Sequence, residues 1–316
     1  MLKSPSMNTL PTQLTIASRE SELAMWQARY IRTALQHHYP HISIQILGMS
    51  TSGDQLLEHS LAKIGGKGLF VKELEIALRT GQADLAVHSL KDLPMRLADD
   101  FAWVATSARE DAHDALVSHH FASLDALPIG ARVGTSSLRR QSLLQAYYPH
   151  VHVLPLRGNL QTRLAKLDDG QYDAIVLAAA GLMRLGLAER IRARLPLDKF
   201  IPAPGQGALG IEICARRADV QALLQMINNP HTASCVLAER AMSRALGGNC
   251  SVPLGAYAHL HGQILQVSGF VASVDGSALL KAKVEGAPAD AERLGTQLAQ
   301  ILIARGANQI LAAFAP

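Results

Sequence analysis

Cysteine is scarce: Cys214, Cys235 and Cys250 are the only three in 316 residues. They are too few and too scattered for a disulfide framework, and their spacing fits no zinc pattern. This excludes a small cross-linked secreted scaffold and implies a reducing compartment. Aromatic residues make up 4% of the chain, little material for the stacking platforms of single-strand nucleic-acid binders. Long apolar runs are missing too. The longest, residues 174–183, is far too short to span a bilayer. The opening MLKSPSMNTLPTQ has no apolar signal-peptide core, and residues 1–11 read as a disordered lead. Neither sign of charge dominates: the formal net charge is only +4 and the pI is near 9.0, a weak pointer to nucleic acid. The 13 histidines fall partly as neighbours, such as His37–His38 and His119–His120, and suggest no metal site. The expectation is a soluble, cytoplasmic, monomeric protein with no membrane or nucleic-acid partner.

What is present is apolar. A 48% apolar and 18% charged chain of this length can bury a sizeable core and should form two or three domains. One stretch departs from ordinary core sequence: LGGNCSVPLG, residues 246–255. Two glycines precede Cys250 and Pro253 follows, so the thiol is expected at a loop tip, presented for chemistry. Cys214 and Cys235 fall inside a predicted strand and helix and are expected to pack.

In chain order, 14–17 reads as a strand followed by a helix with Leu23, Trp26, Tyr30, Ile31 and Leu35 on one face. Arg19 and Ser21 then lie where a strand meets a helix start, a place that favours anions. Residues 41–47 alternate as a strand. A polar loop over 49–68 carries Asp54, Lys63 and Lys67 around KIGGKG; it is no complete P-loop and reads as a mobile lid over an anionic ligand. A helix over 70–80 closes at Gly81. In DLAVHSLKDLP a buried strand over 85–87 should project His88, Ser89, Lys91 and Asp92 from its carboxyl end, where ligands bind in open α/β sheets.

A second unit repeats this plan. RVGTSSLRR places Thr135, Ser136 and Ser137 at a helix start with Arg139 and Arg140 behind them. A strand over 151–156 ends in Arg157-Gly158, a helix carries Arg163, and a further strand leads to Arg184. From Arg109 to Arg194 there are ten arginines and one lysine. Arginine is preferred where planar, bidentate contact with carboxylate or phosphate matters, so a ligand bearing several such groups is expected. KFIPAPGQGALG, which contains Gln206, reads as a return hinge, and 208–214 as a strand rejoining the first sheet. The fold expected is α/β: two periplasmic-binding-protein-like lobes with a double hinge, plus a small α+β third domain. The divisions are 12–107 with 206–226, then 108–205, then 227–316 carrying Cys250.

These residues resemble the hydroxymethylbilane synthase, or porphobilinogen deaminase, family. IASRESELAMWQ, KIGGKGLFVKELE, DLAVHSLKDLP, VGTSSLRRQ, LRGNLQTRL, AAAGLMRLG, PAPGQGALGIE, AERA and LGGNCSVPLG run in the family's order over nearly the whole chain. The resemblance implies a dipyrromethane cofactor bound through a thioether to Cys250. It implies stepwise deamination and joining of four porphobilinogen molecules on that primer, then hydrolytic release of 1-hydroxymethylbilane. It marks Asp92 as the catalytic carboxylate. Substrate and cofactor contacts would be Arg19, Ser21, Lys91, Thr135, Ser136, Ser137, Arg139, Arg140, Arg157, Gly158, Arg163, Arg184 and Gln206, and no departure is seen among them. A non-catalytic polyanion-binding clamp is the alternative that the arginine pattern alone would allow.

Overall fold

The computed structural model describes residues 11–51, 71–248 and 252–314. The lead over 1–10, the loop residues Asp54, Lys63 and Lys67, Phe70, and Cys250 with its neighbours lie outside the described residues.

Strand β1 (Gln13–Arg19) buries every residue from Ile16 to Ser18 and pairs in parallel with β2 (Ser43–Met49) and β3 (Leu85–Ser89). Parallel neighbours need crossovers, which α1 (Glu22–His38) and α2 (Lys72–Arg79) lie in. β4 (Phe101–Thr106) does not join β3. β10 (Leu209–Cys214) inserts between them, antiparallel to both, giving the order β2-β1-β3-β10-β4. The second sheet holds β5 (Asp114–Val117), β6 (Arg132–Gly134), β7 (His152–Leu154), β8 (Ala174–Ala178) and β9 (Ala193–Arg194) in the order β7-β6-β8-β5-β9. β6 runs parallel to β7 and β8, while β5 runs antiparallel to β8 and β9. Helices α3 (Leu138–Tyr147), α4 (Leu160–Asp168) and α5 (Ala179–Arg184) follow β6, β7 and β8. Each five-stranded sheet therefore holds a parallel trio, an antiparallel strand that enters just after the chain has crossed from the other lobe, and an edge strand beyond it.

The two crossings, 107–113 and 195–208, run side by side. Ser107 N donates to Leu209 O at 3.1 Å, Glu110 N to Gly207 O at 3.0 Å, and Arg109 Nε to Gln206 O at 2.8 Å. Gly207 has φ +89, and a Cβ there would stand 2.3 Å from Glu110 O, so only glycine lets the crossings approach this closely.

The third unit follows α6 (Ala218–Leu224). It consists of α7 (Pro230–Ala245), the antiparallel meander β11 (Leu254–His261), β12 (Ile264–Ala272) and β13 (Leu279–Gly286), then α8 (Ala291–Ala304) and α9 (Ala307–Leu311). Asn229 caps α7 by accepting from Thr232 N, with Pro230 as its first helical residue. Met242, Val267, Leu294, Leu298 and Leu302 form the core beneath the sheet. Glu239, on α7 and fully buried, fastens this unit to both crossings. Its Oε1 accepts from Arg109 Nη1 at 2.6 Å and Ala258 N at 2.7 Å; its Oε2 accepts from Gly205 N at 2.7 Å and Arg109 Nη2 at 3.2 Å. The Arg109 guanidinium also lies 4.9 Å over the Tyr257 ring. Burial and Glu239 together push the Cys235 thiol up to about 11, and Cys235 and Cys214 are both buried.

One expectation needs correcting. The apolar stripe of α1 divides: Ile31 and Leu35, with Ala28, enter the core, whereas Tyr30 stays 46% exposed. Tyr30 stacks on Trp26 with centroids 5.4 Å apart. This outer edge of the helix faces the second lobe, where Arg184 lies 5.9 Å over Trp26 and Gln161 donates to Glu22.

Candidate active site

β3 ends at Ser89, and Leu90–Asp92 forms a single tight turn. A turn this short leaves carbonyls without backbone partners. Arg240 of α7, buried within the third unit's contact with this lobe, donates to Leu93 O at 3.1 Å and Pro94 O, and also to Leu90 O, which already accepts from Leu93 N. Its guanidinium also lies 5.2 Å over Trp103. From the opposite side, Gln27 of α1 donates to Ser89 Oγ at 2.8 Å. Lys91 and Asp92 are thus presented by a turn gripped from two elements.

His88 lines the same cleft as Asp92 but does not project as freely as expected. It is buried in β3 and its Nε2 lies 2.7 Å from Glu212 Oε2 of β10. Pairing of β3 with β10 continues to Ser89 opposite Leu209, so the strand runs further than the apolar pattern indicated. Arg19, Ser21, Ser89 and Asp92 line a cleft at this end of the sheet. Ser21 also caps α1, accepting from Ala24 N at 3.4 Å.

The second lobe faces this turn with cations. Burial pushes the Lys91 ammonium down to about 8; Asp92 and Asp114 oppose the shift, and Arg140 and Arg139 add to it. Burial likewise lowers Arg163 to about 10, with Arg140 and Arg19 adding and Asp92 opposing. Asp92 therefore sits in the field of one cation from each lobe. Arg163 is held by donating Nε to Gly158 O at 2.8 Å. Gly158 has φ +112, and a Cβ there would meet Thr162 Cγ2 at 2.6 Å, so the Arg157-Gly158 turn requires glycine. Arg157 O accepts from Lys166 at 3.2 Å.

Arg139 and Arg140 stand behind these residues, 4% and 5% exposed, and both bind Asp114. The three hydroxyls ahead of them have local partners. Ser137 caps α3 by accepting from Arg140 N, Thr135 Oγ1 accepts from Ser137 N at 3.2 Å, and Ser136 Oγ accepts from Leu156 N at 3.0 Å. Gln206 was expected to face the ligand. It is instead fully buried, donating to Ala112 O at 2.8 Å and Asp114 Oδ1 at 3.0 Å, because the crossing that carries it runs behind the arginines. Arg184 donates to Gly207 O at 2.7 Å; burial lowers its pKa and Glu110 opposes the shift. Among the described residues no cluster of metal-ligating groups occurs, and no helix is long and apolar enough to cross a membrane. A wider surface concavity lies at the far ends of β5 and α4, but its charges pair with one another, His119 and Arg190 both to Asp168.

Asp114, Arg240 and the Arg109–Glu239 pair were not singled out from the sequence. Asp114 left a signal: a lone carboxylate opening the apolar run DALV is rarely buried unless paired.

The lowered Lys91 pKa has a measurable consequence. Between about pH 8 and 10 the unfolded chain binds the proton that the folded chain has lost, so this group adds stability as pH rises through that window. Lys91→Met should therefore gain on wild type by on the order of 2–3 kcal/mol as pH falls from about 10 to 7. Urea unfolding at both ends reads the change; a gap independent of pH would contradict the burial of this charge.

Residues 14–222 match the family model described as porphobilinogen deaminase, dipyromethane cofactor binding domain, and residues 233–304 match that family's C-terminal domain. A porphobilinogen deaminase of Methylobacillus flagellatus is 61% identical over 303 residues, covering 96% of this chain and 98% of the relative. One of Burkholderia vietnamiensis is 59% identical over 310 residues, covering 97% and 93%. Among solved structures, the methionine-binding protein MetQ aligns over 69% of this chain and 90% of its own, with TM-score 0.45 and 15% identity. With both family models in order along the chain and relatives of this identity over nearly its whole length, the chain belongs to the porphobilinogen deaminase family.

Proposed function

We propose that the chain is a hydroxymethylbilane synthase. It deaminates four porphobilinogen molecules in turn and joins them head to tail on a dipyrromethane primer held through Cys250. Water then releases 1-hydroxymethylbilane, and four ammonia molecules leave in all. The observation that carries this reading is the placement of Asp92: an exposed carboxylate at the end of a buried strand, between Lys91 of its own lobe and Arg163 of the other.

The residues suit the primer. Each of its rings bears an acetate and a propionate, and the cleft offers Arg19, Lys91 and Arg163; burial lowers Lys91 and Arg163, Arg140 adds to both shifts, and Arg19 adds to that of Arg163. Carboxylates offset that repulsion through charge-assisted hydrogen bonds. When bound, the dipyrromethane supplies the free pyrrole carbon to which each unit is added. The chain's own residues do the rest. Asp92 gives a proton to the departing amine, stabilises the cationic ring left behind, and accepts the proton lost on coupling. Lys91, Arg19, Arg157, Arg163 and Arg184 bind ring carboxylates, with Ser21 and the Thr135–Ser137 turn beside them.

Intact mass tests the proposal. Wild-type protein should be heavier than its sequence by one dipyrrole, and Cys250→Ser should not be. An active wild-type chain of unmodified mass would overturn the covalent primer, and an inactive one of unmodified mass that still binds polyanions would favour a clamp without chemistry. We further place the protein in the cytoplasm as a monomer that engages no nucleic acid, supported by two buried free thiols and the low aromatic content. Light scattering on the eluting protein should give the mass of one chain.

A further inference from the structure

Arg139 and Arg140 are the arginines behind the cleft, yet both guanidiniums already hold a protein carboxylate. Asp114, the first residue of β5, is fully buried. Its Oδ1 accepts from Arg139 Nη2 at 3.0 Å, from Arg140 Nε at 3.0 Å and Nη2 at 2.8 Å, and from Gln206 Nε2 at 3.0 Å. Its Oδ2 lies 2.8 Å from Arg139 Nη1. Both guanidiniums also reach backbone: Arg139 Nη1 donates to Ile201 O at 2.9 Å on the second crossing, and Arg140 Nη1 to Val176 O at 3.0 Å in β8.

Two buried guanidiniums side by side repel each other and lose hydration. One carboxylate shared between them offsets most of that cost and leaves the cluster positive. Burial alone would push the Asp114 carboxyl up; the two arginines outweigh it and hold it well below the usual carboxylate range. It is therefore ionised at any working pH. An ionised carboxylate held by donors from three directions fixes the plane of each guanidinium fork. A second protein carboxylate here would have cancelled the surplus charge that draws an anionic ligand. Lys91, across the cleft, senses all three groups.

We infer that Asp114 is a positioning residue for the reaction proposed above, on which this inference rests. It orients Arg139 and Arg140 before the primer arrives, so that the cluster's surplus positive charge is aimed at the primer's carboxylates. Through Gln206 and Ile201 O it ties that orientation to the second crossing, so a movement of the lobes shifts the carboxylate that both arginines hold.

The test uses full-length wild-type, Asp114→Asn and Gln206→Met proteins made in cells unable to form porphobilinogen, then incubated with porphobilinogen. Intact mass against time reads primer uptake. KM and kcat are then measured on the loaded fraction, at a temperature where circular dichroism shows each protein folded. Asp114→Asn should take up primer roughly tenfold or more slowly, the effect of losing a hydrogen bond to a charged group, and should raise KM more than it lowers kcat. Gln206→Met keeps both ion pairs and removes only Asp114's own hydrogen bond to the crossing; it should slow uptake in the same sense by roughly threefold, less than Asp114→Asn because both guanidiniums keep their carboxylate. Folded Asp114→Asn protein with wild-type uptake and KM, and only a lower melting temperature, would overturn the inference, because that is the signature of a purely structural ion pair. If Asp114→Asn does not fold, wild-type uptake and KM in Gln206→Met overturn it instead. A wild-type chain that gains no mass would overturn the proposed function itself, a result separable from either variant outcome.

Discussion

Asp92→Asn protein should fold, keep a preassembled primer, and lose turnover by on the order of 10²-fold or more, the scale of general acid–base catalysis. Asp92 is exposed at the end of its turn, so the substitution costs little in folding; surface changes usually stay within about 0.5 kcal/mol. Asn keeps the shape but cannot give up or take a proton, and it carries no charge to set against a cationic ring. It also removes the group that opposes the depression of both Lys91 and Arg163. Lys91 should then lose its proton below about pH 8, and KM for porphobilinogen should begin to rise at lower pH than in wild type. Asp92→Glu should retain part of the activity, because the charge survives at a shifted position. Single-turnover formation of enzyme-bound pyrrole adducts, read by mass spectrometry, makes the comparison. Chain extension by Asp92→Asn at near wild-type rate would move the catalytic role elsewhere, with Asp54 the next carboxylate to examine.

Glu239→Gln should have the largest effect on stability. Glu239 is fully buried and receives four hydrogen bonds from three segments: Arg109 on the first crossing, Gly205 on the second, and Ala258 in β11. Every one of those partners is a donor. A glutamine can satisfy donors only with its oxygen, so its NH2 must point at an N–H or a guanidinium. Arg109 would remain buried without its counter-ion, and burial alone lowers its charge affinity; Glu239 is what raises it. Removing one partner of a buried pair costs about 3–5 kcal/mol, a large share of the roughly 5–15 kcal/mol that holds a domain together. Because the pair joins the third unit to both crossings, its loss should also split unfolding into two steps. Urea titration followed by far-ultraviolet circular dichroism and, in a Trp26→Phe background, by Trp103 fluorescence would show it, since Trp103 lies against Arg240 of the same helix. A single transition with less than about 1 kcal/mol lost would contradict the role of Glu239 as a junction.

By itself the sequence determined most of the elements and their order. The short strand at 14–17, the alternation at 41–47 and the helical spacing from Leu23 to Leu35 are local signals, and the observed strands and helix follow them. The glycines and prolines of 199–210 mark the second crossing because they restrict or free the backbone wherever they stand. Arginines at strand ends and helix starts were also legible, since residue type and position along an element need no tertiary knowledge. The tertiary structure alone decided which of those arginines reach the cleft and which lie behind it. Arg139 meets Asp114 across 25 residues of chain, Arg109 meets Glu239 across 130, and Arg240 meets Leu93 across 147. No periodicity encodes such pairs, because they depend on which strand inserts into which sheet. β5 brings Asp114 to the arginines only because it crosses from the first lobe, and β10 brings Glu212 to His88 only because it crosses back. The same insertion places Gln206 behind the site, and a half-apolar helix such as α1 exposes Tyr30 because its outer edge meets the other lobe instead of the core.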